Sequence, residues 1–282
     1  MTMLSIVTDS YSWLLHSVAD GDAFVMFSAV LSLWAFLVYW TVGLAYTALD
    51  VWTPNWAERY KIQPGTNTPV DKTRLWSAVK RVLFNQLVVG TVFTFVFGFI
   101  GLRFRNMPYK VEDFPSLYQL AFQAVIIVLC EEIGFFYSHR LFHIYPSLYK
   151  RFHKIHHEWT SPIAITAVYA HPLEHALSNL GPVALGPLVS GCHVIVVFAW
   201  VAIAQFVTLG SHSGYHFPFM SSPEAHDFHH LKFNVNFGVL GILDHFYGTD
   251  DKFLKDPAFL RHQTFFSATS MRERYPDEKK QL

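Results

Sequence analysis

The chain has 282 residues, of which 52% are hydrophobic and only 15% charged, and its net charge is zero when histidine is neutral. Soluble domains usually have about 25% charged residues, so this composition indicates a membrane protein. The lack of a positive excess argues against nucleic acid as a partner. The two cysteines, Cys130 and Cys192, lie in apolar stretches and are expected to be buried and unpaired.

Four apolar stretches follow one another along the chain. Residues 24–46 and 82–102 are each long enough to cross a hydrocarbon core of about 30 Å, and a third stretch runs from 114 to 137. The fourth, residues 176–210, is too long for one ordinary span. Its interruptions are Pro182, Gly186, Pro187 and Gly191. Because such residues break a helical backbone pattern, this stretch predicts a helical hairpin or a re-entrant pair.

Basic residues predict the orientation of these spans. The loop between the first two spans and its flanks carries Arg59, Lys61, Lys72, Arg74, Lys80 and Arg81, whereas residues 1–23 carry no Lys or Arg. The positive-inside rule places that loop in the cytosol. The chain ends in Lys279-Lys280-Gln281-Leu282, which resembles a dilysine retrieval signal of endoplasmic-reticulum membrane proteins. We therefore expect a multi-pass protein of that membrane with a cytosolic C-terminus.

Histidines give the strongest chemical signal. Fourteen of the sixteen lie between His139 and His245. Twelve of these fourteen form repeated H-x3-H and H-x2-HH clusters, whose members are His139 and His143, His153, His156 and His157, His171 and His175, His212 and His216, and His226, His229 and His230. Histidines three or four residues apart share a helix face, and imidazole is a common ligand of iron, zinc and copper. Since one ion cannot use so many ligands, the pattern predicts at least two.

Two carboxylates are candidates for orienting these rings, because a ligating histidine usually donates its second N–H to an oxygen acceptor. Glu132 lies seven residues before His139, on nearly the same helix face, and Asp227 lies inside the last cluster. Glu174 and Asp244 are further candidates. A histidine-rich metal transporter is an alternative, but its ligands should lie within the apolar spans, whereas these clusters lie outside them.

The order of the histidine clusters resembles that of the fatty acid hydroxylase superfamily, which consists of membrane di-iron oxygenases. The stretches Tyr169–Pro172, His212–Pro218 and Leu243–Asp250 resemble its C4-methylsterol oxidase branch. The resemblance covers residues 129–250. It implies two iron ions, with O₂ as cosubstrate, held by His139, His143, His153, His156, His157, His226, His229 and His230. His212 and His216 match two further ligands of the family, although methylsterol oxidases tend to have Asp where this chain has His216. His171 lies in a family-typical segment and is a further ligand candidate.

The resemblance implies hydroxylation of an apolar lipid C–H bond, with a sterol as the first expectation. A fatty acid or sphingolipid hydroxylase, or a desaturase, of the same superfamily is the alternative. No G-x-G-x-x-G nucleotide fingerprint lies between a strand and a helix, so we expect electrons to come from another protein. The family resemblance implies that this donor is cytochrome b5 with its NAD(P)H-dependent reductase. No catalytic residue is predicted beyond the metal ligands.

The predicted fold is all-α. It consists of a membrane helical bundle, with four spans or three spans and a hairpin, under a cytosolic histidine-rich helical cap that holds a dimetal site. The predicted divisions are an N-terminal membrane region (1–113), a catalytic domain (114–250) and a cytosolic tail (251–282).

Overall fold

The computed structural model describes residues 3–277, and within that range the chain is helical without any strand, apart from one isolated bridge between Lys61 and Tyr215. The predicted fold class is confirmed. The dilysine-like ending lies outside the described residues. The main helices are α1 (Met3–Trp13), α2 (Ala23–Trp52), α3 (Lys72–Arg105), α4 (Leu117–Ile144), α5 (Gly181–Ser190), α6 (Val194–Ser211), α7 (Glu224–Lys232) and α8 (Ile242–Tyr247).

Helices α2, α3, α4 and α6 are long and apolar enough to cross a membrane. Helix α2 contains a π-helical turn at Met26–Val30, and α3 contains one at Asn85–Gly90. Short helical turns lie between the main helices at Leu14–Val18, Asn55–Glu58, Val111–Asp113, Pro146–Leu148, Tyr149–His153, His156–Glu158, Ala164–Val168, Pro172–Glu174 and His175–Leu180. Two more follow α8, at Pro257–Arg261 and Met271–Arg274. The predicted division into three regions stays a prediction.

Helix α4 carries the first histidine cluster at its end. It begins with a capping box, in which Ser116 caps the backbone N–H of Gln119 and the Gln119 side chain returns to Ser116. It ends at Ile144, where Tyr145 takes an extended backbone conformation before Pro146. The helix therefore runs 28 residues and delivers His139 and His143 at its C-terminal end.

The fourth apolar stretch forms a helical hairpin, one of the two predicted arrangements, and the turn lies at the last of the four predicted interruptions. Gly186 and Pro187 lie inside α5, and the chain turns at Gly191, whose φ is +60°. Pro187 has no N–H to donate to the carbonyl of Val183 four residues earlier. The indole N–H of Trp200 on α6 donates to that carbonyl at 3.0 Å, so the neighbouring arm of the hairpin satisfies it.

The loop between α2 and α3 lies at the same end of the bundle as the histidines. The backbone N–H of Ile62 donates to the carbonyl of Gly214 at 3.0 Å, and the N–H of His216 donates to the carbonyl of Tyr60 at 2.8 Å. The buried Lys61 ammonium pairs with Asp50 at 2.7 Å and lies over the ring of Tyr215. The predicted common cap is thus present, and its cytosolic placement stays a prediction.

Candidate metal centre

Nine histidines converge above the membrane helices in two groups. One group contains His139, His143, His153, His157 and His229, and the other contains His156, His212, His226 and His230. Within each group the potential ligand atoms all lie within 4.8 Å of one another. The members come from the end of α4, the turns after Tyr149, the end of α6 and α7. Segments far apart in sequence therefore build each group.

The rings of the five-histidine group point their Nε2 atoms at one another. The Nε2 of His153 lies 2.7 Å from that of His143 and 2.9 Å from that of His157. The Nε2 of His229 lies 3.2 Å from that of His157, and His139 completes the group at 3.3 Å from His143. A cation placed among these atoms would be surrounded by nitrogen donors.

The four-histidine group has the same design. The Nε2 of His212 lies 2.9 Å from that of His226 and 3.4 Å from that of His156. The Nε2 of His230 lies 3.2 Å from that of His226. The two groups adjoin, since the rings of His157 and His230 are 4.8 Å apart between centroids.

The opposite ring nitrogens face oxygen acceptors. The Nδ1 atoms of five histidines lie within 2.6–3.3 Å of backbone carbonyls, in the pairs His139–Phe237, His156–Tyr169, His212–Thr208, His229–Val235 and His230–Trp159. The Nδ1 of His153 lies 2.6 Å from the Glu174 carboxyl group. A carbonyl oxygen can only accept, so the Nδ1 of each of those five rings carries the proton. Their Nε2 atoms therefore present lone pairs.

Such lone pairs would repel one another unless a cation lies between them. Burial lowers the pKa of His156 and of His212 to about 3, and it lowers the pKa of His230 well below its usual range. Protonation near neutral pH therefore cannot supply the positive charge. Neutral imidazoles with converging Nε2 lone pairs fit two bound metal ions, and this is the arrangement that histidine ligands of metals adopt.

The carboxylates do not all have the predicted contacts. Glu132 accepts backbone N–H groups of Val239, Leu240 and Leu243 rather than a histidine N–H. Asp227 accepts a hydrogen bond of 2.8 Å from the side-chain amide of Gln63. The expectation that these two acids orient a histidine is therefore corrected. Glu174 does so, and carbonyl groups do so for most of the other rings.

Two predicted ligands lie outside both groups. The Nε2 of His216 donates to the carbonyl of Gln263 at 3.1 Å, and its Nδ1 lies 3.4 Å from the Glu224 carboxylate. The Nδ1 of His171 accepts the backbone N–H of Leu173 at 3.2 Å, capping the turn that follows. The structure therefore does not bring either residue to the candidate metal centre. His175, a weaker sequence candidate, also lies outside, and burial lowers its pKa to about 4.

A cavity of about 390 Å³ begins at the histidines and extends between the membrane helices. On α6 it is lined by Val197, Val201, Ala204, Thr208 and Ser211, followed by His212. Since these positions recur every three or four residues, they form one face of α6 about 22 Å long. The lining also includes His139, His153, His156 and His226. Both histidine groups therefore face one elongated cavity with largely apolar walls.

Comparison with known proteins agrees with this geometry. Residues 124–249 match the family model of fatty acid hydroxylases. The human fatty acid hydroxylase domain-containing protein 2 is 43% identical over 247 residues, which cover 87% of this chain and 73% of the relative. This match agrees with the resemblance to this protein that the sequence of residues 222–234 predicts. The Mycosarcoma maydis fatty acid hydroxylase ahd1 is 36% identical over 200 residues, covering 71% of this chain and 51% of the relative.

Sterol-related proteins also match. Methylsterol monooxygenase 1 of Gallus gallus is 34% identical over 212 residues, which cover 70% of this chain and 68% of the relative. Methylsterol monooxygenase 1-3 of Arabidopsis thaliana is 30% identical over 281 residues, covering 94% of this chain and 92% of the relative. No solved structure matches the chain.

Proposed function

Because the chain belongs to the fatty acid hydroxylase family, we propose that it is a membrane-bound oxygenase that hydroxylates a C–H bond of an apolar lipid with two iron ions and O₂. The convergence of nine imidazoles on one end of an apolar cavity carries this proposal. His139, His143, His153, His157 and His229 would hold one ion, and His156, His212, His226 and His230 the other. Bound iron supplies activation of O₂ with electrons from outside the chain.

The chain itself positions and insulates the reaction. Carbonyl groups and Glu174 hold the imidazole rings in one tautomer and one orientation, which keeps the ligand set organised before an ion binds. The histidines of both groups are buried or nearly so, so that bulk water has little access to the reacting centre. The wall of α6 then guides an elongated substrate towards His212.

The first candidate substrate is a sterol, and 4-methyl sterols are the compounds to test first. The cavity face on α6, about 22 Å long, suits a molecule of that length and apolar character. The methylsterol monooxygenase relatives favour this substrate class. The fatty acid hydroxylase relative favours the second candidate, hydroxylation or desaturation of a fatty acid or sphingolipid chain, which an elongated cavity also accommodates.

We further propose that the electrons come from cytochrome b5 and its NAD(P)H-dependent reductase. We place the protein in the endoplasmic-reticulum membrane with the histidine cap in the cytosol, where such donors could reach it. The basic residues of the loop between α2 and α3 support that orientation, because this loop packs on the segment that follows His212.

The test uses the full chain in lipid nanodiscs, with cytochrome b5, its reductase and NADH. Metal content is measured by mass spectrometry, and products are measured from 4-methyl sterols and from a ceramide supplied separately. We expect about two iron ions per chain, from ligand counting, and O₂-dependent oxidation of the sterol. A protein with two iron ions that oxidises only the ceramide would refute the sterol assignment, and a protein loaded with one ion would refute the two-ion centre.

A further inference from the structure

In the segment formed by residues 237–243 (loop 237–243), which includes the first two residues of α8, two acids accept five of the seven backbone N–H groups. Asp244 accepts from Phe237 at 2.7 Å and from Gly238 at 2.6 Å. Glu132 accepts from Val239, Leu240 and Leu243 at 2.8–3.2 Å. Both acids are buried. An irregular loop at an aqueous surface needs no such arrangement, because water would satisfy the same N–H groups.

The depth of Glu132 explains why water cannot do so. About 20 residues of helix cross a hydrocarbon core. Helix α4 has 28 residues, and Glu132 is its sixteenth, so any stretch of 20 consecutive residues within α4 includes Glu132. The part of the loop that binds Glu132 therefore reaches the level of the hydrocarbon. At that level every backbone polar group must find a partner within the protein.

Gly238 permits the two acids to approach the same piece of backbone. A Cβ atom at this position would lie 2.9 Å from the nearer carboxylate oxygen of Asp244 and 3.0 Å from that of Glu132. Both distances are shorter than a comfortable contact between a methyl group and an oxygen. The close packing of two carboxylates around loop 237–243 thus depends on a residue without a side chain.

The outer side of this region is mostly apolar, and its exposed polar side chain, His245, pairs with Asp250. Val239, Leu240, Ile242 and Phe246 are exposed, with Phe246 77% accessible. The segment is held to α4 by stacking of Phe136 on Tyr247 at 5.5 Å and by a hydrogen bond of 2.8 Å between the hydroxyl groups of Tyr137 and Tyr247. Its apolar surface continues into that of the spanning helix α4, whose exposed side chains here are Ile133, Tyr137 and Leu141.

The inner side of loop 237–243 faces the cavity. Gly238, Val239, Leu240 and Gly241 line it together with Phe135 and His139 of α4. Val239 and Leu240 are thus both part of the cavity wall and exposed on the outer surface. They separate the cavity from the apolar surroundings of α4.

We propose that loop 237–243 and helix α8 insert into the hydrocarbon of the bilayer and that the loop forms the lateral entrance through which an apolar lipid reaches the histidines. The occupant of the exposed surface is the acyl region of the membrane, because this surface is continuous with a helix long and apolar enough to cross a membrane and Glu132 and Asp244 accept five of the seven backbone N–H groups of loop 237–243. The entrance rests on the proposed lipid oxygenase function, whereas the insertion does not.

Insertion is tested by fluorescence quenching. Single cysteines replace Leu240, Phe246 or, as an exposed charged control, Lys252, in a chain whose Cys130 and Cys192 are changed to alanine. Each is labelled with the environment-sensitive dye NBD in liposomes of phosphatidylcholine. We expect doxyl-labelled phosphatidylcholine to remove most of the fluorescence at positions 240 and 246, and aqueous iodide to quench at position 252. Quenching at 240 and 246 by iodide but not by doxyl lipid would overturn the insertion.

The entrance is tested with a photoreactive diazirine sterol in the same liposomes. Crosslinking to the peptide that contains Val197–His212 is compared before and after a bulky maleimide is attached at position 240. The matched control carries the same maleimide at position 246, which is exposed on the same surface but does not line the cavity.

We expect the label at 240 to remove most of the crosslinking and the label at 246 to leave it unchanged. Equal crosslinking with both labels would overturn the entrance. Absence of crosslinking in the unlabelled protein would overturn the proposed substrate class, and the entrance with it, while the quenching experiment would still decide the insertion.

Discussion

The Nδ1 atom of His153 lies 2.6 Å from a carboxyl oxygen of Glu174, and both side chains are buried. This is the carboxyl group that holds a ring of the five-histidine group. It comes from a turn 21 residues further along the chain. Its second oxygen has no hydrogen-bond partner among the described residues, so His153 is the side chain that this carboxyl group binds. The orientation of the His153 ring, and with it the geometry of the metal centre, therefore depends on the folding of the segment around Pro172.

Replacement of Glu174 by leucine should weaken metal binding. The variant leaves the N–H of His153 without an acceptor in a buried site and frees the ring to turn. Loss of such an orienting group typically lowers metal affinity by about 10- to 100-fold. Competition with a chelator measures this affinity. Glu174→Gln is the control, because its amide oxygen still accepts the N–H, and it should lose less. Equal affinity in wild type and Glu174→Leu would contradict the orienting role.

Single histidine replacements should separate the two ions. His156 belongs to the four-histidine group and His229 to the five-histidine group. Either change to alanine should remove about one of the two ions and abolish oxygenation, because each group is the ligand set of one ion. His216→Ala is the matched control and should keep both ions, since that ring contacts Gln263 and Glu224 instead. Metal analysis of the purified variants decides, and full turnover with His156 and His229 both replaced would remove the catalytic assignment.

The spacing of the histidines predicted their gathering but not their division. In each H-x2-HH triplet the first and last members, four residues apart, share one group, whereas the middle member belongs to the other. Thus His153 and His157 are separated from His156, and His226 and His230 from His229. Residues four apart lie nearly in line along a helix, while the residue between them points to the side.

The acceptors that orient the rings were mostly beyond sequence analysis. Every residue has a carbonyl group, so nothing in the sequence singles out Phe237, Val235 or Trp159. Which carbonyl meets which ring depends on how distant segments pack. For the same reason the sequence could not show that Glu132 binds a loop more than a hundred residues away instead of a nearby histidine. The four membrane spans were easier to predict, since the length of each apolar stretch is enough to identify it.

Filling the cavity should block the substrate without disturbing the ions. Ala204 lines the cavity on α6, whereas the adjacent Ile203 is 56% exposed on the outer face of the helix. Ala204→Trp should therefore lose most of the wild-type rate of lipid oxidation, because an indole ring occupies space that the substrate needs. Its metal content should remain unchanged. Ile203→Trp adds the same ring towards the membrane and should retain activity. Similar losses in both variants would show that the cavity is not the substrate site.

His175 should make the stability of the protein depend on pH. Burial lowers its pKa in the folded protein to about 4, below the usual value of 6.5. Between these values the unfolded chain binds more protons than the folded one, so stability falls as pH falls from about 6.5 to about 4, by up to about 1.4 kcal/mol per pH unit. His175→Gln removes this dependence. The melting temperature of wild type relative to the variant should decrease between pH 7 and pH 5. A constant difference would contradict the burial of a neutral imidazole.

Because α5 packs closely on α4, replacing Gly186 should lower the stability of the protein. A Cβ atom at Gly186 would lie 2.5 Å from the Cα and 2.9 Å from the carbonyl oxygen of Ile127. Backbone atoms cannot yield as a flexible side chain does, so Gly186→Ala should force the helices apart at a cost of about 1–3 kcal/mol.

Gly210 on α6 offers the matched control for that change, because nothing lies within 4 Å of the Cβ atom that alanine would add. Gly210→Ala should leave stability unchanged or raise it by up to about 1 kcal/mol, since alanine favours the helix. Thermal unfolding in detergent, followed by circular dichroism, compares the two variants. Both α4 and α5 line the cavity, so its shape depends on their contact. A Gly186→Ala protein as stable as Gly210→Ala would mean that these helices are not packed as the structure places them.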